Sequence, residues 1–311
     1  MPIPETIPID QCGLYAKTSH KKLAEALDIN SKDLLLLKDD SLYRIKAIEQ
    51  QNGKPPRQTQ TPIETRRRVH DRIQYLLSKV EMPDYVYSGR KGRSAIANGR
   101  AHTGFNYCLE MDIQKYFPSC KLKFVQSFFR FDLMMPKDIA ETLAEICTYS
   151  GVIPTGSPLS MQIAFWSYKK TFDSIEQLAH QHGIKITLFV DDMTFSTDKP
   201  IPRDFEIGVK RLLERVQHSI HPRKTRRSGT GKTRVVTGTA ISGQQQLVPN
   251  RNQKKIIDIL REETSVEKLS PQKIRTVFGM INTARQIEPH FFEGAYKKLR
   301  IAFNRLNRDF K

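Results

Sequence analysis

The stretch Lys185–Thr197, KITLFVDDMTFST, decides how this chain is read. β-Branched and aromatic residues flank Asp191 and Asp192 on both sides. They spell two short strands that meet at the acids, placing both carboxylates at a strand-turn-strand apex. Asp-Asp pairs are common in turns, and a lone one is more often a solvated hairpin tip than a metal site. The order and company of the neighbouring segments therefore carry the decision.

Upstream, Tyr107–Ile113 is a strand that ends in Asp112, and Pro118-Ser119 is placed to start a helix through Phe131 with Ser119 as its cap. A helical stretch near Asp138 to Tyr149 follows, then a Gly/Pro/Ser-rich loop over Gly151–Ser160 and an amphipathic helix from about Met161 to Gln181. Downstream, His221–Arg234 carries six Lys or Arg and no acid, and it leads into a β-like run from Arg234 to Ile241. Beyond Pro249 the pattern is helical. Asp112 and Asp191 can converge if their strands are neighbours in one sheet. Three clustered carboxylates repel one another, so the arrangement makes chemical sense as an electrostatic trap for cations. Two divalent ions about 4 Å apart are what phosphoryl transfer uses, and hard ions such as Mg²⁺ take carboxylate oxygen. Asp192 is expected to orient or to ligate beside the other two.

Towards the N-terminus, residues 18 to 38 predict two short helices, with Ser19 capping the first and Asn30 or Ser31 the second. No basic recognition helix follows Asn30, so a packed helical appendage is preferred to a DNA-reading helix-turn-helix. Leu42–Ile48 and Arg57–Thr61 predict an exposed hairpin about an Asn52-Gly53 turn. Helical spacing then runs from Ile63 to Val80, and Arg66, Arg67 and Arg68 near its start predict a solvated face. Between Arg90 and Arg100, four basic residues and two glycines with no acid predict an exposed loop able to approach phosphates.

Lys and Arg number 51 against 33 Asp and Glu in 311 residues, a formal charge of +18 that favours a polyanionic partner, nucleic acid first. No run of about 18 apolar residues appears, and MPIPETIPID lacks a basic-then-apolar leader; a cytoplasmic protein with no membrane partner is expected. Cys12, Cys108, Cys120 and Cys147 are far apart in sequence, and neither a zinc site nor a disulfide framework is indicated.

Four segments in this order, LEMDIQKYFPS, IPTGSPLS, FVDDMTFS and HPRKT, resemble the motifs of reverse transcriptases. Asn98 to His102 in NGRAH and the triplet Val236-Thr237-Gly238 resemble the bacterial retron branch. RQTQTP and KGRSAIANGRAH add to that likeness, which covers roughly Tyr43 to the C-terminus. The resemblance implies an α+β right-hand polymerase: a helical extension over 1–41, fingers and palm over 42–235, and an RNA-binding thumb over 236–311. It implies two Mg²⁺ held by Asp112, Asp191 and Asp192 with the backbone of Ile113, and Lys224 as the catalytic basic residue that protonates pyrophosphate as it leaves. Arg57, Phe117, Thr155 and Gly156 would bind the incoming dNTP, Phe117 excluding a ribose 2′-OH by overlap. Arg90, Lys91, Arg93, Asn98, His102, Arg226, Arg227, Lys254 and Lys255 would contact nucleic acid.

Phe189-Val190 stands where Tyr-Ala is usual, Thr155 replaces a common Gln, and Lys115 replaces an acid, but no metal-binding carboxylate is altered. The resemblance further implies copying of part of a structured noncoding RNA from a guanosine 2′-OH into branched multicopy single-stranded DNA (msDNA). Its setting would be antiphage defence with a separately encoded effector protein. Two other readings remain open here. One is an abortive-infection or group II intron-like reverse transcriptase, although no maturase or endonuclease extension is expected after residue 311; the other is a catalytically inert nucleic-acid-binding scaffold with a polymerase fold.

Overall fold

A computed structural model describes residues 6–50, 55–262 and 265–308. Helix α1 (His20–Leu27) forms as its sequence predicts. Ser19 accepts from the Lys22 N–H, and Leu23, Ala24 and Leu27 face inward. The second helix expected after Asn30 does not form: the Asn30 side chain takes the Lys32 N–H in a local turn, and the chain continues as turns and 3₁₀ segments at Leu36–Lys38 and Asp40–Leu42. Strands β1 (Tyr43–Ile48) and β2 (Arg57–Pro62) pair antiparallel, Tyr43 opposite Pro62 and Ile48 opposite Arg57. The Asn52-Gly53 turn lies outside the described residues.

Helix α2 (Glu64–Leu77) buries Val69, Ile73, Leu76 and Leu77, and it corrects the reading of the arginine run. Arg67 and Arg68 are exposed, but Arg66 is fully buried. Its guanidinium donates to the carbonyls of Asp39, Glu145, Ile146 and Thr148 at 2.6–3.0 Å and lies 4.2 Å from the Tyr43 ring centroid. Three of those carbonyls lie at the C-terminal end of α6 (Lys137–Cys147), where a helix leaves acceptors without partners and favours a cation.

Helix α3 (Ala95–Arg100), capped by Ser94, replaces the loop expected there. Strand β3 (Tyr107–Asp112) leads to α4 (Tyr116–Ser119), α5 (Leu122–Ser127) and a π-helical turn at Phe128–Asp132. The single helix through Phe131 is thus broken at Cys120-Lys121, where the Leu122 N–H donates to the Gly151 carbonyl and the Ile153 N–H to that of Cys120. Ser119 caps nothing: its hydroxyl lies between the Tyr116 carbonyl and His218. After α6 come α7 (Ser160–Gln181), β4 (Lys185–Phe189), β5 (Asp192–Thr197) and α8 (Arg203–Glu214). Four strands form a sheet in the order β4-β5-β3-β6, β6 being Arg226–Ser228. Strands β7 (Arg234–Val236), β8 (Thr239–Ser242) and β9 (Gln245–Leu247) make an antiparallel meander, so the run expected as one strand folds back at Thr237-Gly238. Helices α9 (Asn250–Arg261), α10 (Pro271–Arg285) and α11 (Glu293–Arg308) follow.

The chain packs as two compact units, one of residues 1–93, 109–195 and 201–226 and the other of 94–108, 196–200 and 227–311. This division runs differently from the three contiguous segments expected from sequence, because α3 packs on β7 and β8 and joins the second unit. There Gly99 permits the approach. A Cβ on it would stand 2.0 Å from Thr239 Oγ1 and 2.9 Å from Gln246 Nε2, so a larger residue must push those side chains aside. Helices α9–α11 enclose Ile256, Ile274, Val277, Ile281 and Leu299. All four cysteines are buried free thiols. Among the described residues no helix is long and apolar enough to cross a membrane.

Candidate active site

Asp112 closes β3 and is 8% exposed. Main-chain bonds fix its surroundings: His221 N–H to Asp112 O at 2.8 Å, Ile113 N–H to Asp191 O at 3.0 Å, and Gln114 N–H to Ser219 O at 2.8 Å. The first aspartate-bearing strand and the hairpin tip are therefore locked in register by backbone rather than by their side chains. The tip is a two-residue loop, Val190-Asp191, with Val190 at φ 60. Positive φ at the first central residue is the type II′ pattern, which ordinarily takes Gly, and a β-branched residue is strained there. Ser88 Oγ accepts the Val190 N–H at 2.9 Å and holds the conformation from outside the hairpin.

The structure brings Asp112, Asp191, Asp192, Lys224 and Arg57 into one electrostatic neighbourhood. Lys224 Nζ lies 2.5 Å from Asp112 Oδ2. Burial raises the Asp191 carboxyl above the usual range and the Asp112 charge raises it further, while Lys224 and Arg57 pull it down. Asp192 is more open as a residue, yet its carboxyl is crowded by protein. That desolvation, then Asp191, then Asp112, pushes it up to about 7, and a side-chain hydrogen bond with Asp112 adds to the effect. Such a bond between two carboxyls requires that one keep its proton, the expected answer of clustered acids to their own repulsion.

Among the described residues no three His, Cys, Asp or Glu groups already stand in a metal-holding arrangement. What the trio supplies is donor chemistry: hard oxygen only, partly desolvated, with like charges driven together and one member neutralised by an ammonium. Those properties suit a hard divalent cation and no softer one. Asp112, Asp191 and Asp192, with the Ile113 backbone beside them, therefore fit such an ion by chemistry.

The residues expected around the nucleotide fall on one further piece. Arg57 is the exposed first residue of β2. Against the same strand rests the 154–160 loop: Thr155 N–H donates to Gln60 Oε1 at 3.1 Å and Gly156 N–H to Gln60 O at 3.2 Å. A Cβ on Gly156 would meet Thr61 Oγ1 at 2.7 Å and Gln60 O at 2.9 Å, so glycine is what lets loop and strand touch. Phe117 is half-buried in the short helix just past β3, its ring 5.5 Å from that of Tyr116.

The expected nucleic-acid contacts divide. Lys91, Arg226, Arg227, Lys254 and Lys255 are exposed. Arg90 and Arg93 are exposed in part and share Asp84 at 3.3 Å each, Arg93 also lying over the Tyr87 ring. Asn98 and His102 are corrections, because both are fully buried and serve the fold. Asn98 Nδ2 donates to Thr237 Oγ1 at 3.3 Å, and His102 Nδ1 lies 2.6 Å from Ser196 Oγ. The carbonyl of His102 accepts from Arg234. The Asn-x-x-x-His segment and the Val-Thr-Gly turn thus meet as packing partners. Reading from sequence missed His70, Ser157, Gln60 and Ser88, each of which holds a site segment through a hydrogen bond. Polar residues in helices, strands and loops alike carry no local mark of such work.

No family model matches the chain. Curated relatives do: it is 26% identical over 241 residues to the retron Ec86 reverse transcriptase of Escherichia coli, covering 75% of this chain and 73% of that one. It is 25% identical over 172 residues to the retron Se72 reverse transcriptase of Salmonella heidelberg, covering 55% of this chain and 45% of that one. It is also 25% identical over 248 residues to the retron Ec83 reverse transcriptase of Escherichia coli, covering 73% and 77%.

Proposed function

We propose that this chain, which belongs with the bacterial retron reverse transcriptases, is a catalytically active RNA-directed DNA polymerase whose reaction centre is the Asp112–Asp191–Asp192 cluster. The carrying observation is that β3 and β5 are sheet neighbours and that the Ile113–Asp191 main-chain bond holds their acid-bearing ends together. We read the mixed fold as a right-hand polymerase with fingers, palm and thumb. Asp112, Asp191 and Asp192, with the Ile113 backbone, would hold two Mg²⁺. When bound, the ions would supply activation of the attacking hydroxyl and charge neutralisation on the triphosphate.

The protein's own groups have assignable roles. Arg57 and the Thr155-Gly156 main chain would seat the dNTP from the β2 side, and Phe117 would lie beneath its sugar. Lys224, already paired with Asp112, would bring positive charge and a proton to the pyrophosphate oxygen as it leaves. The template in this reading is a cognate noncoding RNA, copied from a guanosine 2′-OH into msDNA, in the cytoplasm, with a separate effector completing an antiphage complex. Exposed Lys254 and Lys255 on α9 suit backbone contacts to shaped RNA.

The test is to express the chain with its genomic flank, extract nucleic acid from the purified protein, and look for DNA joined to RNA. Branched single-stranded DNA that disappears with Asp191→Asn is the expected result. Bound RNA without DNA in the unaltered protein refutes the polymerase reading and leaves a scaffold.

A further inference from the structure

Helix α2 carries a buried histidine that the reaction scheme above does not use. His70 is fully buried, and both ring nitrogens are engaged: Nε2 lies 2.8 Å from the Ile146 carbonyl and Nδ1 2.6 Å from Ser157 Oγ. A carbonyl can only accept, so Nε2 carries the proton and Nδ1 must accept from the Ser157 hydroxyl. The tautomer is thereby set, and the direction of both bonds with it. Burial, ahead of the neighbouring Arg66 charge, keeps the ring neutral.

Ser157 sits in the middle of the loop that touches β2. Its oxygen also accepts the Leu159 N–H at 3.2 Å, and the Ser160 hydroxyl closes the loop on the Pro154 carbonyl. On the other side the loop is pinned by Thr155 and Gly156 to Gln60, three residues along β2 from Arg57. The chain of contacts is continuous. His70 on a packed helix holds Ser157, the residue directly after Thr155-Gly156, and the main chain of those two holds the strand whose first residue, Arg57, acts on the Asp191 charge.

We propose that His70 is a positioning residue for nucleotide binding, setting through Ser157 the placement of the Thr155-Gly156 loop against β2. The inference rests on the polymerase reading. It requires that loosening the bond weaken capture of dNTP without altering the chemical step, since neither His70 nor Ser157 is placed on the reacting atoms.

The experiment uses the full chain on an RNA template with an annealed DNA primer, Mg²⁺ and varied dNTP, comparing the wild type with Ser157→Ala, Ser157→Thr and His70→Ala. Ser157→Ala should raise KM for dNTP about five- to tenfold, the weight of one buried hydrogen bond, with kcat within about twofold. Ser157→Thr retains the hydroxyl and should restore the wild-type KM, an outcome that a merely structural role does not predict. His70→Ala, if it folds, should share the Ser157→Ala signature, and Ser157→Ala decides the matter if it does not. An unchanged KM in Ser157→Ala, or a KM that Ser157→Thr leaves raised, overturns the inference while the polymerase reading stands. A wild-type chain that makes no DNA overturns both.

Discussion

Replacing Arg66 by Met would test the most unexpected element of the fold. The substitution keeps the apolar stem and removes four hydrogen bonds to main-chain carbonyls. Each carbonyl retains a second donor: His70 on Ile146, the Leu42 N–H on Asp39, the Thr148 N–H on Glu145 and the Tyr43 hydroxyl on Thr148. No acceptor is left bare, so the appropriate figure is the net worth of a made bond, about 1 kcal/mol, rather than the larger penalty of an orphaned group. Four such bonds give a loss of about 4 kcal/mol, a large fraction of the roughly 5–15 kcal/mol that holds a domain folded. Urea unfolding followed through Trp166 reads this directly, because that residue is the chain's single tryptophan, is 4% exposed, and lies in the same unit. Arg67→Met, three atoms of backbone away but on the solvent side, should change stability by no more than about 0.5 kcal/mol. Equal losses from the two variants, or an Arg66→Met loss under about 1 kcal/mol, would refute the assignment of Arg66 as a structural cation.

Three further outcomes are expected. Lys224→Ala should slow single-nucleotide incorporation without eliminating it, since the carboxylates remain; complete loss of incorporation would make Lys224 indispensable rather than assisting. Phe117→Ala should admit ribonucleotides, measured by comparing both sugars on one template, and unchanged discrimination would return the ring to a packing role. Stability should fall in mild acid. Burial holds His70 and His218 down to about 4 in the folded chain, against roughly 6.5 unfolded, so the unfolded state takes up protons first. Their stabilisation is whole above about pH 6.5, is lost progressively towards pH 4, and for His70 amounts to about 2 kcal/mol by pH 5. Urea midpoints at pH 7.5 and pH 5 measure it, and a His70→Asn chain should lose less of its stability over that interval than the wild type.

Much of the site was legible because its signals are local. KITLFVDD alternates and turns within eight residues, and YCLEMD ends a strand in an acid, so both carboxylate carriers could be placed from pattern alone. Their adjacency could not, because strand order depends on which edges pair across some eighty residues of intervening chain. The errors share a cause. Arg66, Asn98 and His102 are polar residues whose partners come from distant segments, and sequence assigns such residues to the surface by default. The Ser119 cap failed for a related reason: a cap is a local preference, and the Leu122–Gly151 and Ile153–Cys120 bonds overrode it.

The strained tip at Val190 bears on the order in which the chain acquires its structure. A Val-Asp pair has none of the intrinsic preference that lets an Asn-Gly or Gly-led turn close early. Its shape is imposed by Ser88 and by Ile113, residues roughly eighty to a hundred positions away along the chain, so both must arrive before the hairpin can settle. The acid-bearing apex is then a late-folding element, and pulsed hydrogen exchange during refolding should find the Val190 and Ile113 amides among the last to gain protection. In that order the Asp191 and Asp192 carboxylates meet Asp112 only after the segments that restrain them have packed, so the mutual repulsion of the three acids is met by a scaffold already in place.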